Sequence, residues 1–195
     1  LQPFKRNGKM EDREMSFITK DDTVLVAIDF QEKLMPAMSN GEETEERAAK
    51  LIRGMKVFDI PAIVTQQYTK GIGPTTAKLS AELGDFKHVE KTSCSAMRMP
   101  EFRERLKETG RKNVVICGVE AHICVLQTTL QLMEEGYNVY LVVDCIDSRN
   151  ENDKLWGISR MGEAGAVITT YESVLYEILQ DSKADGFKAI SAIVK

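Results

Sequence analysis

Paired cysteines, nucleotide-binding glycines and long apolar runs are all missing from this sequence. The four cysteines, Cys94, Cys117, Cys124 and Cys145, lie far apart with no C-x-x-C pair. A chain of 195 residues can bury one sizeable core without covalent staples, so reduced thiols are expected. No G-x-G-x-x-G or Walker glycine pattern follows the first apolar run, where "DFQEKLMP" stands instead, which removes most of the support for a nucleotide cofactor. No apolar stretch approaches the ~20 residues of a membrane span. The opening "LQPFKRNGKMEDREM" also lacks the apolar centre of a signal peptide, so the expectation is a cytoplasmic protein with no membrane partner. Basic charge is short as well: 26 Lys and Arg face 30 Asp and Glu, a formal net charge of -4. With no basic stripe interleaved with aromatics, nucleic acid is not an expected partner.

What is present is an alternation. Residues 1–19 are charged and aperiodic and read as an N-terminal extension, leaving one domain over 20–195. From "TVLVAIDF" onward, β-rich apolar runs near 23–29, 61–65, 87–90, 113–119, 138–143 and 166–169 alternate with helical patterns near 43–58, 100–109, 122–135, 151–164, 172–180 and 184–193. Runs such as "TVLVAI" and "NVVICGV" are apolar on both faces, as strands are when helices cover both sides of a parallel sheet. "ETG", "EEG" and "EAG" each place a glycine where a helix should end and a strand begin, at Gly110, Gly136 and Gly165. The fold class is α/β: a three-layer, Rossmann-like parallel six-stranded sheet with helices on both faces.

In such sheets ligands bind beyond the carboxyl ends of the strands, so polar residues just after strands are the candidates. Asp29 closes the first strand; it is either a turn cap or a general base in a partly desolvated pocket. Lys91 closes the third and is either a solvated strand-exit lysine or a buried charge partner. Cys124 falls in the first turn after the fourth strand. It is either a packed core thiol or, beside helix N-terminal amides, a thiol biased toward the nucleophilic thiolate. On one edge of a parallel sheet the three can converge, and an acid, an ammonium and a thiol together form a workable nucleophile system.

At this point "VAIDFQEKLMP", "VEKTSCSA" and "VVICGVEAHICVLQTTLQLMEEGYNVYLVVDCIDSR" carry a resemblance. The chain resembles the cysteine-hydrolase branch of the isochorismatase-like superfamily, and especially the isochorismatase-domain-containing proteins, from about residue 22 to "FKAISAIVK". The resemblance implies Asp29 as general base, Lys91 as its charge partner and Cys124 as nucleophile. It also implies a cis peptide between Val119 and Glu120, with the amides there and at Cys124 forming an oxyanion hole. Members of the superfamily usually assemble, so a homo-oligomer, dimer or tetramer, is implied, and the apolar residues of "FKAISAIV" offer a surface to bury. Nicotinamidase relatives carry an Asp-x-His metal set after the second strand. Here "VTQQYTKGIGPT" holds neither Asp nor His, so no metal and no cofactor are expected.

Gln31, Gln67, Tyr68 and Arg149 sit in strand-end loops and are candidates to bind a small-molecule substrate, or equally turn residues. His88 and His122 are badly placed to pair with the thiol and read as structural or surface residues. Cys117 reads as core, and Cys94 and Cys145 as packed thiols near the same edge. Asn150 reads as a helix cap and Thr44 as another, over an acidic first turn. The function these readings support is a metal-independent cysteine hydrolase of a small amide or related carbonyl compound. Two other classes remain open: a redox-reactive cysteine protein with Cys94 as resolving thiol, and a non-catalytic binding protein that keeps the fold.

Overall fold

The computed structural model describes residues 17–195. Strands β1 (Thr23–Ile28), β2 (Ala62–Gln67), β3 (His88–Lys91), β4 (Asn113–Val119), β5 (Asn138–Asp147) and β6 (Val167–Thr169) form one sheet in the order β3-β2-β1-β4-β5-β6, every pair parallel. Strand order reverses between β1 and β4, and the crevice for a ligand opens at their carboxyl ends. The expected extension at 1–19 lies mostly outside the described residues. Its last part does not: Ile18 is fully buried in the core, and its N–H donates to Glu177.

Alternation along the strands explains the apolar runs. Leu25 and Ala27 face one core, with Val64, Val115 and Cys117 beside them, under α1 (Gly41–Val57), α3 (Ala77–Leu83), α7 (Tyr171–Leu179) and α8 (Phe187–Val194). Val24, Val26 and Ile28 face the other with Val114 and Ile116, under α4 (Pro100–Glu108), α5 (Leu126–Glu134) and α6 (Glu151–Glu163). Each residue of the central strands β1 and β4 thus has a hydrophobic layer to enter on its own side. The apolar residues of "FKAISAIV" are spent inside the chain, since Ile190 and Ile193 are buried against α1 and α7. The surface expected there for self-association is therefore not free.

Several local expectations are corrected. The β2–β3 connection contains two helices, a four-residue α2 (Thr69–Ile72) and the seven-residue α3. Each is too short for a helical period to stand out, and α3 is held by the Thr76 hydroxyl accepting from Leu79 N. β5 runs past 143 to Asp147, because pairing with β4 resumes at Gly118–Ile146 after an irregularity. Thr44 is a buried residue inside α1, and the cap position is Asn40. Asn150 does cap α6, accepting from Asn152 N at 2.8 Å.

Candidate active site

Three strands of the central sheet end on a non-glycine residue in the left-handed region: Asp29 (φ 56), Tyr68 (φ 37) and Glu120 (φ 59), following β1, β2 and β4. Such a residue turns the chain sharply at a cost of roughly 1–2 kcal/mol. Among the described residues no peptide bond is cis. The Val119–Glu120 bond, which the resemblance implies is cis, is trans, and the chain turns at a left-handed Glu120.

These turns bring Asp29, Lys91 and Cys124 into contact. Lys91 Nζ lies 2.6 Å from Asp29 Oδ2 and 3.5 Å from Cys124 Sγ. Asp29 is 1% exposed, Lys91 0% and Cys124 8%. Lys91 also donates to Gln67 Oε1 at 2.6 Å and to the carbonyls of Cys94 (3.2 Å) and Ser93 (3.3 Å), so its ammonium is almost fully committed. Asp29 Oδ1 accepts from the Thr65 hydroxyl at 2.7 Å. Asp29 Oδ2 faces the lysine charge and accepts no well-directed hydrogen bond, which leaves the carboxylate an acceptor with capacity beside the thiol.

Cys124 does not open an α-helix. It sits in a π-helical turn, Ala121–Val125, that precedes α5, a widened turn of a kind frequent at functional sites. Two hydrogen bonds to the Glu120 carbonyl, from Ile123 N (2.9 Å) and Val125 N (3.4 Å), bracket the cysteine. Of the two readings of Cys124, packed thiol or thiolate, its surroundings favour the protonated form. Burial, and next the negative charge of Asp29, push the Cys124 thiol up to about 12, with Lys91 opposing. At neutral pH the resting sulfur is a thiol that needs a base to become a nucleophile. Cys117 is pushed up to about 12 by burial alone, as a core thiol should be. Cys145 is also buried and raised, and Cys94 is half-buried with its carbonyl turned to Lys91.

The four residues proposed to touch substrate divide. Gln31 is fully buried and its amide is used up: Nε2 donates to the carbonyls of Gln67 and Gly73, and Oε1 accepts from Gln67 N. Gln31 therefore ties the β1 exit to the β2 exit and has no group left for a ligand. Gln67 holds Lys91 with its oxygen and donates to Thr92 O with its nitrogen. Tyr68 is half-exposed, and Arg149 pairs with Glu120, Nε to Oε1 at 2.6 Å. His88 faces Glu90, and His122 lies against Ser148, Glu120 and Asp153. Thr65 was missed because a threonine inside a β-rich run looks like any strand residue. Asp147 was missed although it ends β5 as Asp29 ends β1. It is buried and accepts from Ser39 Oγ and Asn40 N, anchoring the start of α1.

Two surface depressions, of about 540 and 660 Å³, lie elsewhere: one at the start of α1, the other by Leu25, Ala62 and Phe86 near the opposite edge of the sheet. Chemistry and not cavity size singles out the Asp29–Lys91–Cys124 cluster.

An isochorismatase domain family profile matches residues 23–173. Isochorismatase domain-containing protein 2 of Xenopus laevis is 35% identical over 195 residues, covering 100% of this chain and 90% of that protein. Among solved structures, MAR1 ribonuclease from Caenorhabditis elegans superposes with a TM-score of 0.86 at 34% identity, over 92% of each chain. YcaC from Pseudomonas aeruginosa, with hexane-2,5-diol and covalent acrylamide, gives 0.86 at 26% identity over 92% of each chain. The YcaC gene product of Escherichia coli, an octameric hydrolase of unknown specificity, gives 0.86 at 26% identity, over 91% of this chain and 90% of that one.

Proposed function

This chain belongs to the isochorismatase family, and on that premise we propose that it is a metal-independent cysteine hydrolase of a small amide or related carbonyl compound. The observation that carries the proposal is one buried ammonium shared by an acid and a thiol, Lys91 Nζ standing 2.6 Å from Asp29 Oδ2 and 3.5 Å from Cys124 Sγ. Asp29 takes the thiol proton as Sγ attacks the carbonyl carbon, whose π electrons move to oxygen. Backbone amides at the Glu120–Cys124 turn hold that oxyanion. On collapse the C–N bond breaks, the leaving nitrogen takes the proton from Asp29, and a thioester remains. Water then gives a proton to Asp29 as its oxygen attacks the thioester carbon, the C–S bond breaks, and Sγ takes that proton back from Asp29, which releases the acid and restores the thiol and the carboxylate. A base in contact is what a thiol held at about 12 requires at neutral pH. The redox reading asks for an exposed, acidic cysteine and is less favoured by a thiol that is 8% exposed and raised by burial.

Covalent acrylamide in the Pseudomonas neighbour is what a reactive nucleophile produces from a small electrophilic amide. Metal independence rests on the β2 exit, where Gln67 spends both ends of its amide on the protein and stands where the nicotinamidases place metal ligands. RNA cleavage, the activity named for the C. elegans neighbour, is less favoured by a chain of net charge -4 whose site lysine is fully buried. Ammonia release from a panel of small amides tests the proposal, with chelator and an RNA substrate as parallel arms. Release that survives chelator and is lost in Cys124→Ala supports it. Release that stops on chelation removes the metal-free mechanism, and cleavage of RNA alone removes the amide substrate.

Self-association is part of the proposal. The E. coli neighbour is an octamer, and this chain exposes Leu155 and Trp156 on α6 and Val167 and Ile168 on the edge strand β6, the lone tryptophan being 74% exposed. Size-exclusion chromatography giving only the 21.9 kDa chain would overturn it.

A further inference from the structure

The geometry points to Glu120 and Arg149 as a clamp that positions the nucleophile turn from the side away from Asp29 and Lys91. The inference rests on Cys124 being the nucleophile, as proposed above. Glu120 is the hinge of that turn: its carbonyl takes the two amide hydrogen bonds, from Ile123 and Val125, between which Cys124 sits. Its side chain faces the β5 exit, where Oε1 accepts from Arg149 Nε at 2.6 Å. Oε2 is buried without a hydrogen bond, 3.7 Å from His122 Nδ1. His122 is in turn held by Ser148 Oγ at 3.1 Å from Nδ1 and by Asp153 Oδ2 at 3.8 Å from Nε2.

A nearly buried carboxylate with one unmet oxygen, on a residue already in the left-handed region, costs stability twice. Both costs fall on the residue that aims the thiol. Two other contacts complete the seat. Gly157 of α6 lies so close that a Cβ there would meet the His122 backbone at 3.0 Å. Across the turn, Thr128 Oγ1 donates to Cys124 O at 2.7 Å and accepts from Ala96 N at 3.0 Å. The glycine and threonine seats are rigid packing, whereas the Glu120–Arg149 pair is the adjustable one, because more than half of the arginine side chain is exposed. Arg149 accordingly acts through Glu120 and does not hold substrate.

Arg149→Met and Glu120→Gln test this, with Arg149→Lys as the conservative control. Two rates are read: amide turnover, and alkylation of Cys124 by iodoacetamide followed by peptide mass mapping. A displacement of the sulfur by about 1 Å is enough for a fall of roughly 10- to 100-fold in kcat. The expected result is such a fall in both Arg149→Met and Glu120→Gln with KM unchanged, a parallel fall in Cys124 alkylation at neutral pH, and recovery in Arg149→Lys. A raised KM with alkylation unchanged would make Arg149 a substrate ligand and overturn the clamp, as would wild-type values for both rates. If the wild-type protein turns over no amide, the hydrolase reading falls, while the alkylation rates still decide the clamp.

Discussion

The two edges of the sheet solve the same backbone problem with different residues. Where chain enters β4, β5 and β6, the left-handed positions are Gly110, Gly136 and Gly165, and a Cβ at any of them would meet nothing within 4 Å. Glycine takes that conformation without steric cost, so these turns are cheap punctuation. Where chain leaves β1, β2 and β4, the left-handed positions are Asp29, Tyr68 and Glu120. Each has a side chain that glycine could not supply, and two are buried acids. On the entry edge only the exposed Asp59 before β2 (φ 55) departs from glycine among these left-handed turns, so buried charge gathers on the exit edge, and so does the proposed chemistry. A protein keeps such costs where surrounding structure over-determines them.

Substitutions at the two edges can break or sharpen that contrast. The largest effect belongs to the thiol: Cys124→Ala should lower amide turnover on the order of 10⁴-fold or more with the fold retained by circular dichroism. Gly136→Ala at the entry edge should leave turnover near wild type. Retained turnover in Cys124→Ala would remove the chemical half of the contrast.

Next comes the buried pair. Lys91→Met leaves Asp29 charged, buried and without its counterion, and should cost about 3–5 kcal/mol in urea denaturation. Arg53→Met breaks the exposed Arg53–Glu82 pair (2.6 Å) and should cost about 0–1 kcal/mol. Equal losses would mean that Lys91 is not paying for Asp29's burial.

Glycines separate the edges more finely. Gly118 lies between the Asp29 and Cys124 arms, and a Cβ there would stand 2.6 Å from Ile28 Cβ and 2.8 Å from Ile28 O. Gly118→Ala should therefore cost about 2–3 kcal/mol by overpacking, and turnover should fall with it. Gly110→Ala, in open space, should cost only the left-handed penalty of about 1 kcal/mol. Thermal melts of the two variants decide the order.

A further effect, read as a slope with pH, is alkaline. Cys124 is raised from 9.0 to about 12, so the folded state holds this proton more tightly than the unfolded chain. That contribution is complete below pH 9 and is lost as pH rises toward 12. Stability measured across this window should fall more steeply in wild type than in Cys124→Ala, and identical slopes would contradict the burial of the thiol.

Much of this was legible in the residues, for reasons that can be stated. The six strands could be read because a parallel sheet covered on both faces demands unbroken apolar runs, and "TVLVAI" and "NVVICGV" are such runs. Asp29, Lys91 and Cys124 could be singled out because topology sends every strand end of a parallel sheet to one edge. α3 could not be read, since seven residues with one buried leucine carry no period. The Glu120 partner of Arg149 was not legible, because a strand-end arginine looks the same whether it faces a ligand or a carboxylate 29 positions away in sequence.

The sequence by itself determined the layers, the edge where chemistry gathers, and the residue types available there. Tertiary structure alone decided what those residues became. It turned Gln31 into a tie and Gln67 into a holder of Lys91, because their hydrogen-bond partners come from other strands. It set Glu120 in the left-handed region on a trans bond. It also raised the Cys124 thiol, since its acidity depends on burial and on an aspartate 95 positions earlier, and neither quantity is local to the chain.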